Sequence, residues 1–232
     1  MSVILAVYIG AAVLPALFLM RYIYVNDTIE KESPGLLLRL VLSGVYAAFL
    51  AILLETIGTG LLDAAGFADE TAYTIATAVM VGLSEEISKF IFLYFRTWRS
   101  PEFNFRYDGI VYAVFVSLGF AAYENIRYVF YYGLTVAPSR ALLAVPAHMA
   151  FGVFMGSAYG RAKILDIYGK EGKSKLLNIG GVLCAAALHS FYDACAMLGS
   201  QPAMILFIAF VIIMYIVVIR KVRNESRSDS EI

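Results

Sequence analysis

Seven apolar runs divide the chain, near Ser2–Tyr22, Leu36–Leu62, Thr71–Phe95, Asp108–Tyr132, Ser139–Arg161, Leu176–Leu198 and Pro202–Ile219. Each is about long enough to cross a bilayer core, which takes roughly 20 residues of helix. Backbone groups in hydrocarbon must find their partners within the segment, so runs of this kind are constrained to be helical. Composition agrees: 61% of the 232 residues are hydrophobic and only 16% charged, against about 25% charged in a soluble domain. The expected fold is all-α: a polytopic membrane helix bundle of about seven transmembrane helices. It forms a single domain over residues 1–232, with the motif-bearing core in 71–198.

Lysines and arginines fix the expected orientation. Arg21, Lys31 and Arg39 flank the first connection, whereas Asp63–Glu70 has no basic residue. Arg96, Arg99 and Arg106 follow, then Tyr131–Pro138 has none; Arg161 to Lys175 is basic, Gly199–Gln201 is not, and Arg220 to Arg227 closes the chain. This alternation puts the N-terminus outside and the C-terminus in the cytoplasm. The first run lacks a basic leader and is long, so it reads as a span and not a cleaved signal. A net charge of zero gives no basic surface for nucleic acid; membrane lipid is the expected surrounding. The polar tail after Arg223 is expected to be disordered.

Against this apolar background a few polar residues stand out. The third run contains Glu85, Glu86 and Lys89, and a charge at the bilayer centre costs about 2.5–3.5 kcal/mol on insertion scales. Spacings of three and four put Lys89 over both acids, which offsets part of that cost. The fourth run carries Glu124 and Asn125, the fifth His148 just after Pro146, and the sixth His189 and Asp193 one helical turn apart. His148 and His189 are the only histidines. Counted at 1.5 Å per residue, these groups reach one layer at or just outside the midplane. Pro146 frees a carbonyl that something must repair in a membrane. Gly152, Gly156 and Gly160 form a small-residue strip suited to close helix packing.

Two imidazoles and several carboxylates, without a thiolate, suit a borderline metal such as zinc (Zn2+). Glu124, His148 and His189 supply three ligands, with Asp193 as a fourth or as an orienting partner. Bound water would then ionise near neutral pH, and Glu85 or Glu86 would take and return the proton. Lys89 or Asn125 would steady the oxyanion or fix the glutamate. No H-E-x-x-H is present.

Three of these segments carry a resemblance. E-E-I-S-K at 85–89, F-A-A-Y-E-N at 120–125 and H-S-F-Y-D at 189–193 resemble the E-E-x-x-K, F-x-x-x-E-N and H-x-x-x-D motifs of the PrsW family of intramembrane proteases, distantly similar to the CAAX prenyl proteases. D-G-I-V-Y at 108–112 and the histidine of the fifth run also fit. The resemblance implies a multi-pass protease of the bacterial cytoplasmic membrane that makes the first cut in a single-pass transmembrane substrate, an anti-sigma factor. It implies Glu85, Glu86 and His189 as the essential set. In the CAAX relatives the position of Glu124 is a histidine, and the family leaves metal-dependent and glutamate-based hydrolysis both open.

Two other classes would accommodate parts of this pattern. A proton- or ion-coupled transporter would use buried acids and histidines as a relay, but it would often show matched broken helices in two halves, and only Pro146 interrupts a run. A seven-helix receptor, or a relative that binds membrane helices without cutting them, needs no such polar set. Glu55, near the outer end of the second run, either lines an entrance to the polar layer or meets headgroups, and headgroups are the expectation. Cys184 and Cys195 lie about 16 Å apart along one helix, too far to bridge.

Overall fold

The structure, a computed structural model, describes residues 3–232; Ser2, where the first expected span begins, lies outside them. Seven long helices form the bundle: α1 Val3–Asn26, α2 Pro34–Ala65, α3 Glu70–Thr97, α4 Asp108–Tyr132, α5 Val145–Ile167, α6 Glu171–Leu198 and α7 Gln201–Arg227. Among the described residues there is no strand, only an isolated antiparallel bridge between Phe105 and Glu231. Among the described residues, six helical segments are long and apolar enough to cross a membrane. The exception is α3, which carries Glu85, Glu86 and Lys89 along its length. The chain is an integral, multi-pass membrane protein.

Local chemistry sets the helix ends. Ser33 caps α2 by accepting the Leu36 N–H, with Pro34 opening the helix, where its missing N–H is no loss. Asp69 caps α3 through Thr71 N, 2.8 Å away. Gly66 closes α2 at φ 65°, the left-handed turn that glycine adopts without strain. Helices outrun the apolar stretches: α6 begins at Glu171 and α7 continues to Arg227, since hydropathy marks the lipid crossing and not the last helical residue.

The most enclosed helix is α4, packed against α1, α2, α3 and α5. Its approach to α5 is backbone to backbone. A Cβ on Gly109 would lie 2.6 Å from the Gly156 carbonyl, and one on Gly156 would lie 2.7 Å from Ile110 Cα. Nothing larger than glycine fits there without moving a helix, and this is how the small-residue strip of α5 is used. Gly82 plays the same part where α3 meets α6, its hypothetical Cβ falling 2.9 Å from the Ala186 carbonyl.

Ahead of α5 the chain runs through a 3-10 turn at Leu134–Val136, a short helical turn at Ala137–Ser139 and a π-helical turn at Arg140–Ala144. Pro146 cannot donate to Leu142 O. The Tyr215 hydroxyl on α7 does so instead, at 2.7 Å, and also reaches Leu143 O at 3.2 Å. The freed carbonyl is thus repaired from a neighbouring helix, as membrane packing demands.

At the opposite end of the bundle, aromatic rings close ranks. Tyr94 stacks on Trp98 and Phe103 on Tyr159, with centroids 5.1 and 5.2 Å apart; Phe90 and Tyr112 pack edge-on against the group. The tail at this end is ordered, contrary to expectation. Arg106 N donates to Ser230 O, Tyr107 N to the Asp229 carboxylate and Ile232 N to Asn104 O. These bonds tie the chain's last residues to the α3–α4 connection and supply the ordering that a short polar segment lacks by itself.

Candidate active site

One helical turn of α3 builds the centre. Glu85, Glu86 and Lys89 are all buried, and the i, i+3 and i, i+4 spacings bring Lys89 Nζ to 2.7 Å from Glu86 Oε1 and 3.0 Å from Glu85 Oε2. The same ammonium lies 3.1 Å from His148 Nδ1 on α5 and 4.1 Å from the centre of the Phe120 ring. Its three hydrogens therefore meet three acceptors. Gly82, one turn before Glu86, lets α6 come close enough to deliver His189, whose Nδ1 is 2.9 Å from Glu86 Oε1 and 3.8 Å from Glu85 Oε2.

Both imidazoles thus turn Nδ1 toward the acid pair and Nε2 away from it. The outward nitrogens face two further carboxylates: His148 Nε2 is 3.0 Å from Glu124 Oε2, and His189 Nε2 is 3.5 Å from Asp193 Oδ2. Glu124, held also by a cation, is an acceptor, so His148 carries its proton on Nε2 and Nδ1 accepts from Lys89. The two imidazoles stand perpendicular at 5.3 Å, and Phe151 stacks on His189 at 4.7 Å.

Four of the eight residues singled out in the sequence form the tight group. Glu85, Glu86, His148 and His189 each offer a donor atom within 4.8 Å of the others. Glu124 and Asp193 lie outside this group, each against an imidazole. Asn125 is fully buried and turned elsewhere: its Nδ2 donates to Ala12 O on α1 at 2.8 Å, and its Oδ1 accepts from Arg140. Nitrogen and oxygen donors at this spacing fit a dication in kind. Glu86 Oε2 is buried without a hydrogen-bond partner, which leaves one acceptor for such an ion. Lys89 now occupies His148 Nδ1, so an incoming metal would compete with it there and leave its bonds to Glu85 and Glu86 in place.

A cavity of about 970 Å³ opens beside the cluster, toward the end of the bundle that carries the α4–α5 connection. Glu85, His148 and His189 line its floor, Glu124, Asp193 and Arg140 its wall, and aromatic residues of α4 its mouth; Glu86, Lys89 and Asn125 lie behind the surface. Glu55 lines it too, which corrects the expectation of a headgroup contact: the flank of α2 that carries it is turned inward against α3 and α4.

Arg140 escaped the sequence reading. It sits in the π-helical turn, donates from Nε to Asn125 Oδ1 at 2.6 Å and from a terminal nitrogen to Glu124 Oε2 at 2.8 Å, and lies 3.9 Å from the centre of the Tyr128 ring. A basic residue at a span's end reads as an interfacial anchor, and no spacing rule links residue 140 to 124.

The family described as PrsW family intramembrane metalloprotease matches residues 32–219. The chain belongs to the PrsW family. Its relatives include Protease PrsW of Halalkalibacterium halodurans, 32% identical over 94% of this chain and 97% of that protein. Protease PrsW of Geobacillus kaustophilus is 38% identical over 67% of this chain and 66% of that protein. Protease PrsW of Bacillus subtilis is 31% identical over 80% of each chain. No solved structure matches. All three PrsW motifs lie within the matched residues, and two of them, E-E-I-S-K and H-S-F-Y-D, contribute directly to the four-residue cluster. The bacterial relatives and the apolar helices together support a place in the cytoplasmic membrane.

Proposed function

We propose that this PrsW-family protein is an intramembrane endopeptidase that hydrolyses a peptide bond of a single-pass membrane protein near its extracytoplasmic end. The reading rests on one observation: two imidazoles and two acids from three helices converge at the base of a cavity, where Glu85 and both imidazoles line the floor. Orientation follows the loop charges, with the N-terminus and the cavity mouth outside and the basic ends in the cytoplasm. An anti-sigma factor is the substrate that the PrsW resemblance favours.

Glu85 is the general base. Its Oε2 is bound to Lys89, while no partner among the described residues takes Oε1, and the residue lines the cavity. Water there gives its proton to Glu85 as its oxygen adds to the substrate carbonyl carbon. Glu85 returns the proton to the amide nitrogen as the C–N bond breaks. Glu86, His148 and His189 would hold a zinc ion; when bound it would lower the pKa of its water and polarise the carbonyl. Glu124 and Asp193 orient the imidazoles through Nε2, and Lys89 fixes both glutamates.

Glu85→Gln and His189→Ala in purified, membrane-reconstituted protein should each reduce cleavage of a membrane-spanning substrate by at least about 100-fold, within the range general base catalysis supplies. Both variants should stay folded and inserted, at some cost in thermal midpoint, because each removes a partner from the buried ion cluster. Cleavage at the wild-type rate in either variant refutes the assignment.

A further inference from the structure

Hydrolysis in a cavity requires something to take the substrate's backbone carbonyl, and the two groups first considered for it are both engaged. Lys89 spends its three hydrogens on Glu85, Glu86 and His148 beneath the cavity floor. Asn125 is tied to α1 and Arg140 and does not line the cavity. Arg140 differs on both counts. Its guanidinium lines the cavity beside Glu124 and Ser139, with a side chain only 12% exposed. Of its five N–H donors, one goes to Asn125 and one to Glu124. The other three have no partner among the described residues.

We propose that Arg140 receives a substrate backbone carbonyl, and that Glu124, Asn125 and Tyr128 hold its planar fork in place for that purpose. The inference rests on the endopeptidase reading for its meaning but on separate residues for its support. Three donors without a partner among the described residues, on a guanidinium that lines the cavity, are available to a carbonyl oxygen. The guanidinium is already fixed on two edges and one face, so little rotamer freedom is lost on binding. Glu124 Oε2 accepts from both Arg140 and His148 Nε2, which sets the carbonyl-binding donors at a fixed offset from the hydrolytic floor. The π-helical turn matters too. It places residue 140 over the cavity, whereas a regular helix leading into Pro146 would carry the side chain round toward a different face.

The test uses the full chain in nanodiscs and a fluorescent synthetic peptide with one hydrophobic span. Binding is measured in the Glu85→Gln background, so the result stands whether or not wild type cleaves. Adding Arg140→Gln should weaken binding at least tenfold, Arg140→Lys should recover part of it, and Arg220→Gln, exposed at the opposite basic end of the bundle, should change it less than twofold. The ¹⁵N shifts of His148 should stay at their unsubstituted values throughout. Binding within threefold of the background in Arg140→Gln overturns the proposal. So does a loss accompanied by a change of His148 tautomer, which would mean that Arg140 acts only through Glu124. Failure of wild type to cleave any peptide, with the binding pattern intact, would count against the endopeptidase reading alone.

Discussion

Lys89 decides whether the acid pair can exist where it does. Two carboxylates with almost no exposure would repel each other and forfeit hydration, and the ammonium between them answers both costs. Removing one member of a buried ion pair costs about 3–5 kcal/mol, so Lys89→Met should lower stability on that scale. A dication held by the same side chains would take over the missing charge. Zinc should therefore raise the thermal midpoint of Lys89→Met more than that of wild type, and EDTA should reverse the gain. Equal responses would count against metal binding at this cluster. At this scale the sequence was most legible where a charge interrupts an apolar run: Glu85, Glu86, Lys89, His148 and His189 all announce themselves by being expensive. Arg140 and Glu55 do not, because near a span's end a charge has an inexpensive explanation in the headgroup layer. Only the inward turn of α2 and the π-helical turn reveal that both line the cavity.

Among the elements, the segment from Leu134 to Ala144 does the most with the least regular structure. It crosses the cavity mouth, presents Arg140 and hands the chain to α5 through Pro146. Its unpaired carbonyl depends on a hydroxyl from α7. Tyr215→Phe should cost about 0.6–1.7 kcal/mol, the range for an interhelical hydrogen bond in a membrane protein. The loss should show as reduced resistance to unfolding in detergent; unchanged resistance would mean that water repairs the carbonyl equally well. Hydropathy located all seven helices to within a few residues at most ends but was silent on this segment, since a π-helical turn leaves no periodic mark over five residues. It was also silent on the docked tail, whose order comes from partners more than 100 residues away in sequence.

Across the whole molecule, the basic end is also where buried acids gather outside the spans. Burial pushes Asp27 up to about 6, against the pull of Lys31 and with help from Asp229 and Glu30. Burial likewise raises Glu32 to about 7, with the neighbouring Tyr112 and Asp108 side chains pulling the other way. Both folded values exceed the unfolded ones, so the folded state holds protons that the unfolded chain has released. Stability is full at low pH for these groups and falls as pH rises from about 4 through 7. Purified protein should melt higher at pH 5 than at pH 8, and Asp27→Asn should shrink that difference; a flat profile would show that the two acids are solvated in the membrane-bound protein.

The ring cluster of Trp98, Phe103, Tyr159 and their neighbours lies between the cavity floor and that basic end. Any conducting route through the bundle would have to be wetted along its whole length, and six packed aromatic side chains interrupt it. Moving one elementary charge across the bilayer is worth about 2.3 kcal/mol per 100 mV, a gradient that a living cell cannot let discharge through a pore. Chemistry that needs solvent halfway into the bilayer is thereby made compatible with an insulating membrane.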